Sequence, residues 1–430
     1  MQTVKIWMRT NRRFFLSALG ALAAGGLAGC GGGGSGGSPA VPEEAKPAST
    51  WLGVQSDLKE DVRFLDIPPP ASTAFTEQTL RQIAHLSLGG DQVRIKFGNL
   101  YGRAPVPLAR VRVALSTGAG AVDLATDVAV TFQGRESVSI PVGGEVWSDK
   151  VSIRVPDGAN LAVSTYVRES ADSTSAHRYA NAIQYVGAGD LSSSATMPTA
   201  PGNQLTSWHW MSAIDVYRTG PARVVVAFGD SLTDGNGSTL GANQRYPDLL
   251  SARLLKAGGA GGAVSVVNAG LGGNRWLHDR FGLKGVERFR RDVLGVPGVT
   301  HAIVQMGIND IGFQQAWTPN EKATAAEVIA SLAGAIAVAK GAGIQVYLAT
   351  LTPFKGHVYF SDAGEDMRQA INTWIRVNTE VAGVFDFDAA VRDPADPARI
   401  LAAYRDADNL HVNDLGYARM AESIPLDRFR

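Results

Sequence analysis

The pattern of apolar residues changes near Pro221, and this change constrains the fold more than any other feature of the sequence. Between residues 51 and 217 the apolar residues alternate with polar ones in short runs, such as QVRIKF at 92–97 and VSIRV at 151–155. Alternation with a period of two, interrupted by Gly, Pro, Asp and Asn, is typical of half-buried antiparallel strands. We therefore predict a β-sandwich or jelly roll over residues 50–218.

After Pro221 the apolar runs become continuous, as expected for strands that are buried on both faces of a parallel sheet. These runs lie at 224–228, 264–267, 302–306 and 344–351. Helices are predicted between and after them, at 320–342 and 366–381. Strands that alternate with helices indicate a doubly wound parallel sheet, here over residues 219–430. The active site of such a sheet lies at the carboxyl ends of its strands.

The chain has a single cysteine, Cys30, which closes an N-terminal segment similar to an export signal. Paired arginines precede a short stretch rich in Gly and Ala, which is too short for a permanent membrane span. LAGC at 27–30 resembles the bacterial lipobox, whose cysteine is lipidated, and RRFFL at 12–16 resembles a twin-arginine signal. We expect a signal peptide with lipobox at 1–30, lipidation of Cys30 and a flexible tether at 31–49. The alternative is a buried structural thiol.

The composition limits the partners of the chain. Lys plus Arg and Asp plus Glu number 40 each, so the formal net charge is zero, and the mature region contains no basic run. Nucleic acid is therefore not expected as a partner. No histidine pair has metal-ligand spacing and no Gly-rich phosphate loop occurs, so neither a metal nor an organic cofactor is expected. The membrane would be contacted through the lipid anchor only, and the sequence leaves the oligomeric state open.

Four short motifs carry the residues that serine chemistry requires. They are GDSLTDG at 229–235, NAGLGGN at 268–274, GIND at 307–310 and DNLH at 408–411. Ester hydrolysis by a serine needs a nucleophile, a base, a group that orients the base, and donors for the oxyanion of the tetrahedral intermediate. Each motif alone is also compatible with a turn or a helix cap. Their occurrence together favours catalysis.

Each requirement can be assigned to a residue of these motifs. Ser231 follows a buried strand and is the candidate nucleophile, while His411 is the candidate base and acid. Asp408, three residues before His411, can reach its imidazole when the turn is tight. The side-chain amide of Asn309 and the backbone N–H groups of Ser231 and Gly273 are the candidate oxyanion donors.

These motifs resemble the four sequence blocks of the GDSL (SGNH) hydrolase superfamily, and the resemblance extends over residues 222–424, about half of the chain. It implies a flavodoxin-like sheet, a triad of Ser231, Asp408 and His411, and an oxyanion hole of Ser231, Gly273 and Asn309. The chain has no Gly-x-Ser-x-Gly elbow at its serine, unlike ordinary lipases of the α/β-hydrolase fold. HLSLGGD at 85–91 resembles the β-rich segment that precedes the catalytic domain in some bacterial members, including ones likened to xylan esterases.

The sequence therefore predicts a carboxylic-ester hydrolase that acts through an acyl-enzyme on short-chain or acetyl esters, with carbohydrate-linked esters as candidate substrates. It would be exported and anchored in a bacterial cell envelope, in the periplasm or at the cell surface. A lysophospholipase or lipase is the enzymatic alternative. A non-catalytic carbohydrate-binding lipoprotein of the envelope is the alternative from another class.

Overall fold

A computed structural model gives the structure of residues 45–62, 74–258 and 262–429. The described residues belong to one compact unit. The predicted signal peptide, Cys30 and most of the predicted tether lie outside the described residues. None of the helices within the described ranges combines the length and apolar character of a transmembrane span.

The predicted tether is too long at its C-terminal end. The prediction extends it to residue 49, but the first strand begins at Pro47, and Ala48 and Ser49 are buried. Pro47 is acceptable there because proline is tolerated at the first residue of a strand.

Residues 45–217, called the β-rich region below, consist mainly of short strands. In chain order the strands are β1 Pro47–Leu52, β2 Ser56–Asp57, β3 Ala74–Phe75, β4 Gln78–His85, β5 Gly90–Gly98, β6 Val106–Leu108, β7 Arg110–Gly118, β8 Ala121–Val122, β9 Val128–Val130, β10 Val138–Ile140, β11 Glu145–Trp147, β12 Val151–Val155, β13 Asn160–Val167, β14 Ala171–Asp172, β15 Ser175–His177, β16 Gln184–Ala188, β17 Gln204–Leu205, β18 Trp208–His209 and β19 Met211–Tyr217. Single 3₁₀ turns lie at Leu124–Thr126 and Pro201–Asn203.

Two larger antiparallel sheets organise the β-rich region. One has the order β1-β19-β5-β11 with β12 also paired to β5, and the other has the order β17-β16-β4-β13-β7-β8 with β9 paired to β7. Along β12 the side chains alternate strictly, with Val151, Ile153 and Val155 buried and the two residues between them exposed. The predicted antiparallel, β-rich character is confirmed, whereas the finer expectation of a jelly roll stays a prediction.

Residues 222–429, called the α/β region below, alternate strands with helices. The strands are β20 Ala222–Gly229, β21 Ala263–Gly270, β22 Val299–Gln305, β23 Gln345–Ala349 and β24 Gly383–Phe385. The helices are α1 Ser231–Asp234, α2 Tyr246–Ala257, α3 Gly285–Phe289, α4 Ile308–Ala316, α5 Ala325–Gly341, α6 Asp362–Arg376, α7 Phe387–Val391 and α8 Asp414–Glu422. A π-helical turn at Arg290–Leu294 continues α3, and a 3₁₀ turn lies at Leu426–Phe429.

The five strands of the α/β region form one parallel sheet of order β21-β20-β22-β23-β24. Counted along the chain this order is 2-1-3-4-5, that of flavodoxin-like doubly wound sheets. Consecutive residues of β20 enter opposite cores: Val224 and Val226 pack in one cluster, and Val225 packs in the other. The predicted parallel sheet is confirmed, and burial on both faces explains why its strands are apolar throughout.

Two predicted helices have different ends in the structure because their caps lie elsewhere. The helix predicted at 320–342 begins at Ala325, since Thr324 and Glu327 form a capping box. The helix predicted at 366–381 begins at Asp362, where Ser361 accepts a hydrogen bond from the N–H of Gly364, and ends at Arg376.

Candidate active site

Ser231, His411 and Asp408 form a continuous row of hydrogen bonds. The Oγ atom of Ser231 lies 2.7 Å from Nε2 of His411. Nδ1 of His411 lies 2.5 Å from Oδ2 of Asp408. A carboxylate accepts the Nδ1 proton, so this contact leaves Nε2 of a neutral imidazole free to accept the proton of Ser231. The structure thus brings the predicted nucleophile, base and orienting acid together.

The loop before α8 fixes Asp408 as well as its partner. Oδ1 of Asp408 accepts the backbone N–H groups of Leu410 and His411, each at 2.9 Å. Burial alone would raise the pKa of Asp408, but the hydrogen bond and charge of His411 and these two N–H groups outweigh it and hold that pKa below its usual range. Asp408 is therefore a carboxylate when it faces the imidazole.

Ser231 is placed at the end of β20 by a local cap. It is the first residue of α1, and the carboxylate of Asp230 accepts the N–H of Leu232 at 3.1 Å. Ser231 is only 4% exposed, and Asp230 is fully buried. Burial raises the pKa of Asp230 to about 7. The nucleophile thus occupies the carboxyl end of a central strand, where α/β sheets carry their sites.

Gly273 lies in a tight turn that follows β21. The N–H of Asn274 donates to the carbonyl oxygen of Leu271 at 3.0 Å, and Gly273 has φ of 75°. A positive φ at the third residue of such a turn favours glycine. A Cβ at this position would also lie 2.7 Å from the ring of Phe281. Both the backbone conformation and the lack of space therefore require glycine at the predicted oxyanion donor.

The amide of Asn309, at the start of α4, is held at both ends. Its Nδ2 donates to the carbonyl oxygen of Asn274 at 2.9 Å, and its Oδ1 accepts the hydroxyl of Tyr359 at 3.0 Å. Asn309 is 1% exposed. Nδ2 carries two protons, so the bond to Asn274 leaves one for an oxyanion. The bond also ties Asn309 to the turn that contains Gly273.

Arg288, in α3, was not singled out in the sequence, yet it joins the elements around the site. Its guanidinium donates to the carbonyl oxygens of Gly229 and Ala269, at the ends of β20 and β21, over 2.5 and 2.9 Å. It also donates from Nε to Oδ1 of Asn274 at 2.7 Å. Asp292 lies 3.3 Å away and balances part of the charge. No spacing rule signals this arginine, because its partners come from separate parts of the chain.

The described residues include no group of three or more His, Cys, Asp or Glu side chains that could hold a metal ion. A cleft of about 890 Å³ lies in the β-rich region, lined by residues between Pro107 and Glu169. None of the predicted site residues lines it.

The sheet is open and parallel, and a serine, a histidine and an aspartate form one hydrogen-bonded row at its strand ends. This is the arrangement of a serine-type ester hydrolase. Residues 225–424 match the family model described as GDSL-like lipase/acylhydrolase. Residues 225–424 therefore form a GDSL-like lipase/acylhydrolase domain, and the protein is a carboxylic-ester hydrolase.

Solved structures similar to part of this chain include three bacterial proteins. A catalytic mutant of the acetylxylan esterase Axe2 from Geobacillus stearothermophilus is 22% identical, with 47% of this chain and 92% of that chain covered and a TM-score of 0.36. The carbohydrate acetylesterase Est24 from Sinorhizobium meliloti is 19% identical, with 48% and 97% covered and a TM-score of 0.36. A member of the lipolytic protein G-D-S-L family from Veillonella parvula is 18% identical, with 47% and 95% covered and a TM-score of 0.33. No curated protein matches the chain.

Proposed function

We propose that the protein hydrolyses short-chain or acetyl esters through an acyl-enzyme formed on Ser231. The observation that carries the proposal is the row of contacts from Ser231 Oγ to His411 Nε2 at 2.7 Å and from His411 Nδ1 to Asp408 at 2.5 Å. This geometry is within hydrogen-bond reach for proton transfer.

The proposed reaction has two halves. In the first, Ser231 Oγ attacks the ester carbonyl carbon while His411 takes the hydroxyl proton, and His411 then gives that proton to the departing alcohol oxygen. In the second, water attacks the acyl-enzyme, His411 takes its proton and returns it to Ser231 as the acid leaves. Asp408 holds the imidazole in the required tautomer and stabilises the imidazolium formed in each half.

Both halves pass through a tetrahedral oxyanion, for which three donors are proposed. The backbone N–H groups of Ser231 and Gly273 donate to no other group in the described part of the chain. Asn309 supplies its second Nδ2 proton. Donors fixed in advance stabilise developing charge without reorganisation, and the contacts of Asn309 with Asn274 and Tyr359 fix its amide in this way.

The small exposure of the site supports a short acyl group. Ser231 is 4% exposed and Asn309 is 1% exposed, so the carbonyl must enter a narrow opening. This small exposure favours an acetyl or short-chain esterase over a lysophospholipase. A carbohydrate as the alcohol half is part of the proposal and agrees with a location in the cell envelope.

For that location we propose export and lipidation at Cys30, on the lipobox-like residues 27–30. Growth of producing cells with a labelled fatty acid should label the wild-type chain and leave Cys30→Ser unlabelled. Equal labelling of the two chains would overturn this part.

The test of the enzymatic proposal is hydrolysis of p-nitrophenyl esters from acetate to laurate by the chain without residues 1–30. Ser231→Ala should abolish turnover, whereas the control Ser238→Ala, in the following loop, should retain it. Hydroxylamine should release the acyl group trapped on wild-type protein as a hydroxamate. Unchanged turnover by Ser231→Ala would reject Ser231 as the nucleophile, and a preference for laurate would favour the lipase alternative. A folded wild-type chain without turnover on any ester would favour the carbohydrate-binding alternative.

A further inference from the structure

The turn that carries Gly273 is held by a side chain of the α/β region, which is itself bonded by a side chain of the β-rich region. Oδ2 of Asp234, in α1, accepts the N–H of Gly272 at 2.9 Å. Oδ1 of the same carboxylate lies 2.9 Å from Nε2 of His177, in β15 of the β-rich region. The side chains of His177 and Asp234 are 4% and 5% exposed. The β-rich region therefore reaches the candidate oxyanion turn through one buried pair.

The surroundings of His177 require both ring nitrogens to carry a proton. Nδ1 lies 2.8 Å from the carbonyl oxygen of Val54, while Nε2 lies 2.9 Å from the carboxylate of Asp234 and 3.0 Å from the carbonyl oxygen of Tyr179. All three partners are acceptors, so each nitrogen must donate. The ring is then an imidazolium, and its pairing with Asp234 is a charged one.

The charges that face His177 have opposite effects. Burial alone would lower the pKa of His177, but Asp234 and the hydrogen bond to the carbonyl of Val54 together outweigh this burial and the repulsion from Arg245, so the pKa is raised. The ring of Trp208 packs 5.3 Å away and brings no charge. The charged pair is consequently lost as the pH rises through the raised pKa of His177.

A second contact from the β-rich region bonds the loop that lies beside this turn. The carboxylate of Glu60 accepts the N–H of Gly282 at 3.3 Å. Arg280 and Phe281 have φ values of 101° and 52°, which residues other than glycine rarely adopt, so this loop needs support for an unfavourable backbone. Its Phe281 ring occupies the space beside Gly273.

We propose that the β-rich region contributes two positioning residues to the active site. His177 and Glu60 hold the turn that contains Gly272 and Gly273. His177 acts through Asp234, and Glu60 acts through the backbone at Gly282 and the ring of Phe281. The consequence is that transition-state stabilisation depends on residues outside the α/β region. This inference rests on the proposed esterase function.

The first experiment measures kcat and KM of His177→Gln in the chain without residues 1–30. Loss of the imidazolium should lower kcat on the order of tenfold, the size of a weakened rather than deleted oxyanion donor, with KM changed less than about twofold. The matched control is His209→Gln, a buried histidine whose ring contacts Ser173 and Phe75 within the β-rich region. If His209→Gln, at an equal loss of unfolding free energy, shows the same fall in kcat, the role of His177 is only structural and the proposal is overturned.

The pH profile and a double variant distinguish positioning of the Gly273 turn by His177 from a general loss of stability. Wild-type kcat should fall at alkaline pH as His177 loses its proton, and His177→Gln should lack this fall. Because His177 acts through Asp234, the double variant His177→Gln/Asp234→Ala should lose no more kcat than Asp234→Ala alone. An alkaline fall that persists in His177→Gln, or additive losses in the double variant, would contradict the proposal.

Glu60→Met, which removes the oxygen that accepts the N–H of Gly282, keeps the proposal testable if His177→Gln does not fold. It should also lower kcat with little change in KM, whereas Glu77→Met, at a glutamate of the β-rich region that bonds Tyr166, should not. Equal kcat values for Glu60→Met and wild type would then count against the proposal. If Ser231→Ala retains full activity, the proposed function itself fails. If only the His177 and Glu60 variants behave as wild type, the further inference alone fails.

Discussion

The hydroxyl of Tyr359 donates to Oδ1 of Asn309 over 3.0 Å, and this bond determines which end of the amide is available to a substrate oxygen. An amide oxygen held by Tyr359 leaves Nδ2 for donation, whereas a flipped amide would present an acceptor to the oxyanion. Tyr359→Phe removes this preference without creating a large cavity. We expect kcat to fall on the order of tenfold, because one hydrogen bond of about 1 kcal/mol no longer orients the donor. KM should change little.

The matched control for this prediction is Tyr347→Phe. The Tyr347 hydroxyl also donates to a single partner, the carbonyl oxygen of Arg428 at 3.0 Å, in the same region but away from the row of Ser231 and His411. Steady-state kinetics on p-nitrophenyl acetate compare the two variants. If both lose the same activity, the effect belongs to general packing and the orienting role of Tyr359 is wrong.

Replacement of Asp408 by asparagine tests whether its carboxylate orients the imidazole of His411. The introduced amide could present its N–H to Nδ1 of His411 and thereby stabilise the tautomer that cannot accept the proton of Ser231. We expect kcat to fall on the order of 10³–10⁴-fold. Asp406→Asn is the control, since Asp406 lies two positions earlier in the same loop and only its backbone N–H contacts His411. A small effect of Asp408→Asn, comparable to that of Asp406→Asn, would reject Asp408 as the orienting acid.

The sequence predicted the parts of the fold and site whose signals are local. Continuous apolar runs indicated the parallel sheet because each strand is buried on both faces, and Ser231 and Asp408 stand in short motifs. The capping-box sequence TAAE at 324–327 is also a local signal, and it marks the start of α5. The helix ends predicted from apolar spacing alone were therefore several residues off.

The residues that were not predicted act through contacts between distant parts of the chain. Tyr359 is 50 positions from Asn309, and His177 is 57 positions from Asp234. Arg288 reaches Gly229, 59 positions away. Neither a period nor a spacing relates such pairs, and only the folded chain brings them together. A lone buried arginine, tyrosine or histidine consequently gives no signal in a single sequence.

Arg288 should be essential for stability, because its removal takes a charged donor away from three buried acceptors. These are the carbonyl oxygens of Gly229 and Ala269 and Oδ1 of Asn274. Arg288→Met should lower the free energy of unfolding by about 3–5 kcal/mol, as expected when one partner of a buried charged network is lost. Urea unfolding followed by circular dichroism measures this. Arg290→Met, at an exposed position two residues later, should stay within about 0.5 kcal/mol of wild type, and equal losses for the two variants would contradict the prediction.

Asp230 should give the protein a stability that decreases as the pH rises. Burial raises its pKa to about 7 in the folded chain, whereas an unfolded aspartate titrates near pH 4, with an ordinary pKa of about 3.9. Between these values the folded chain holds one proton more than the unfolded chain, so this residue lowers the free energy of unfolding by at most about 1.4 kcal/mol per pH unit.

Asp230→Asn removes this titration while keeping an oxygen that can accept the N–H of Leu232. The difference in unfolding free energy between Asp230→Asn and wild type should therefore grow in favour of the variant from about pH 4.5 to about pH 7, and level off above the folded pKa. Urea unfolding of both proteins across this range measures the difference, and pH-dependent contributions from all other groups cancel to the extent that they are shared. A difference that stays constant with pH would show that Asp230 keeps an ordinary pKa and is ionised beside Ser231 throughout.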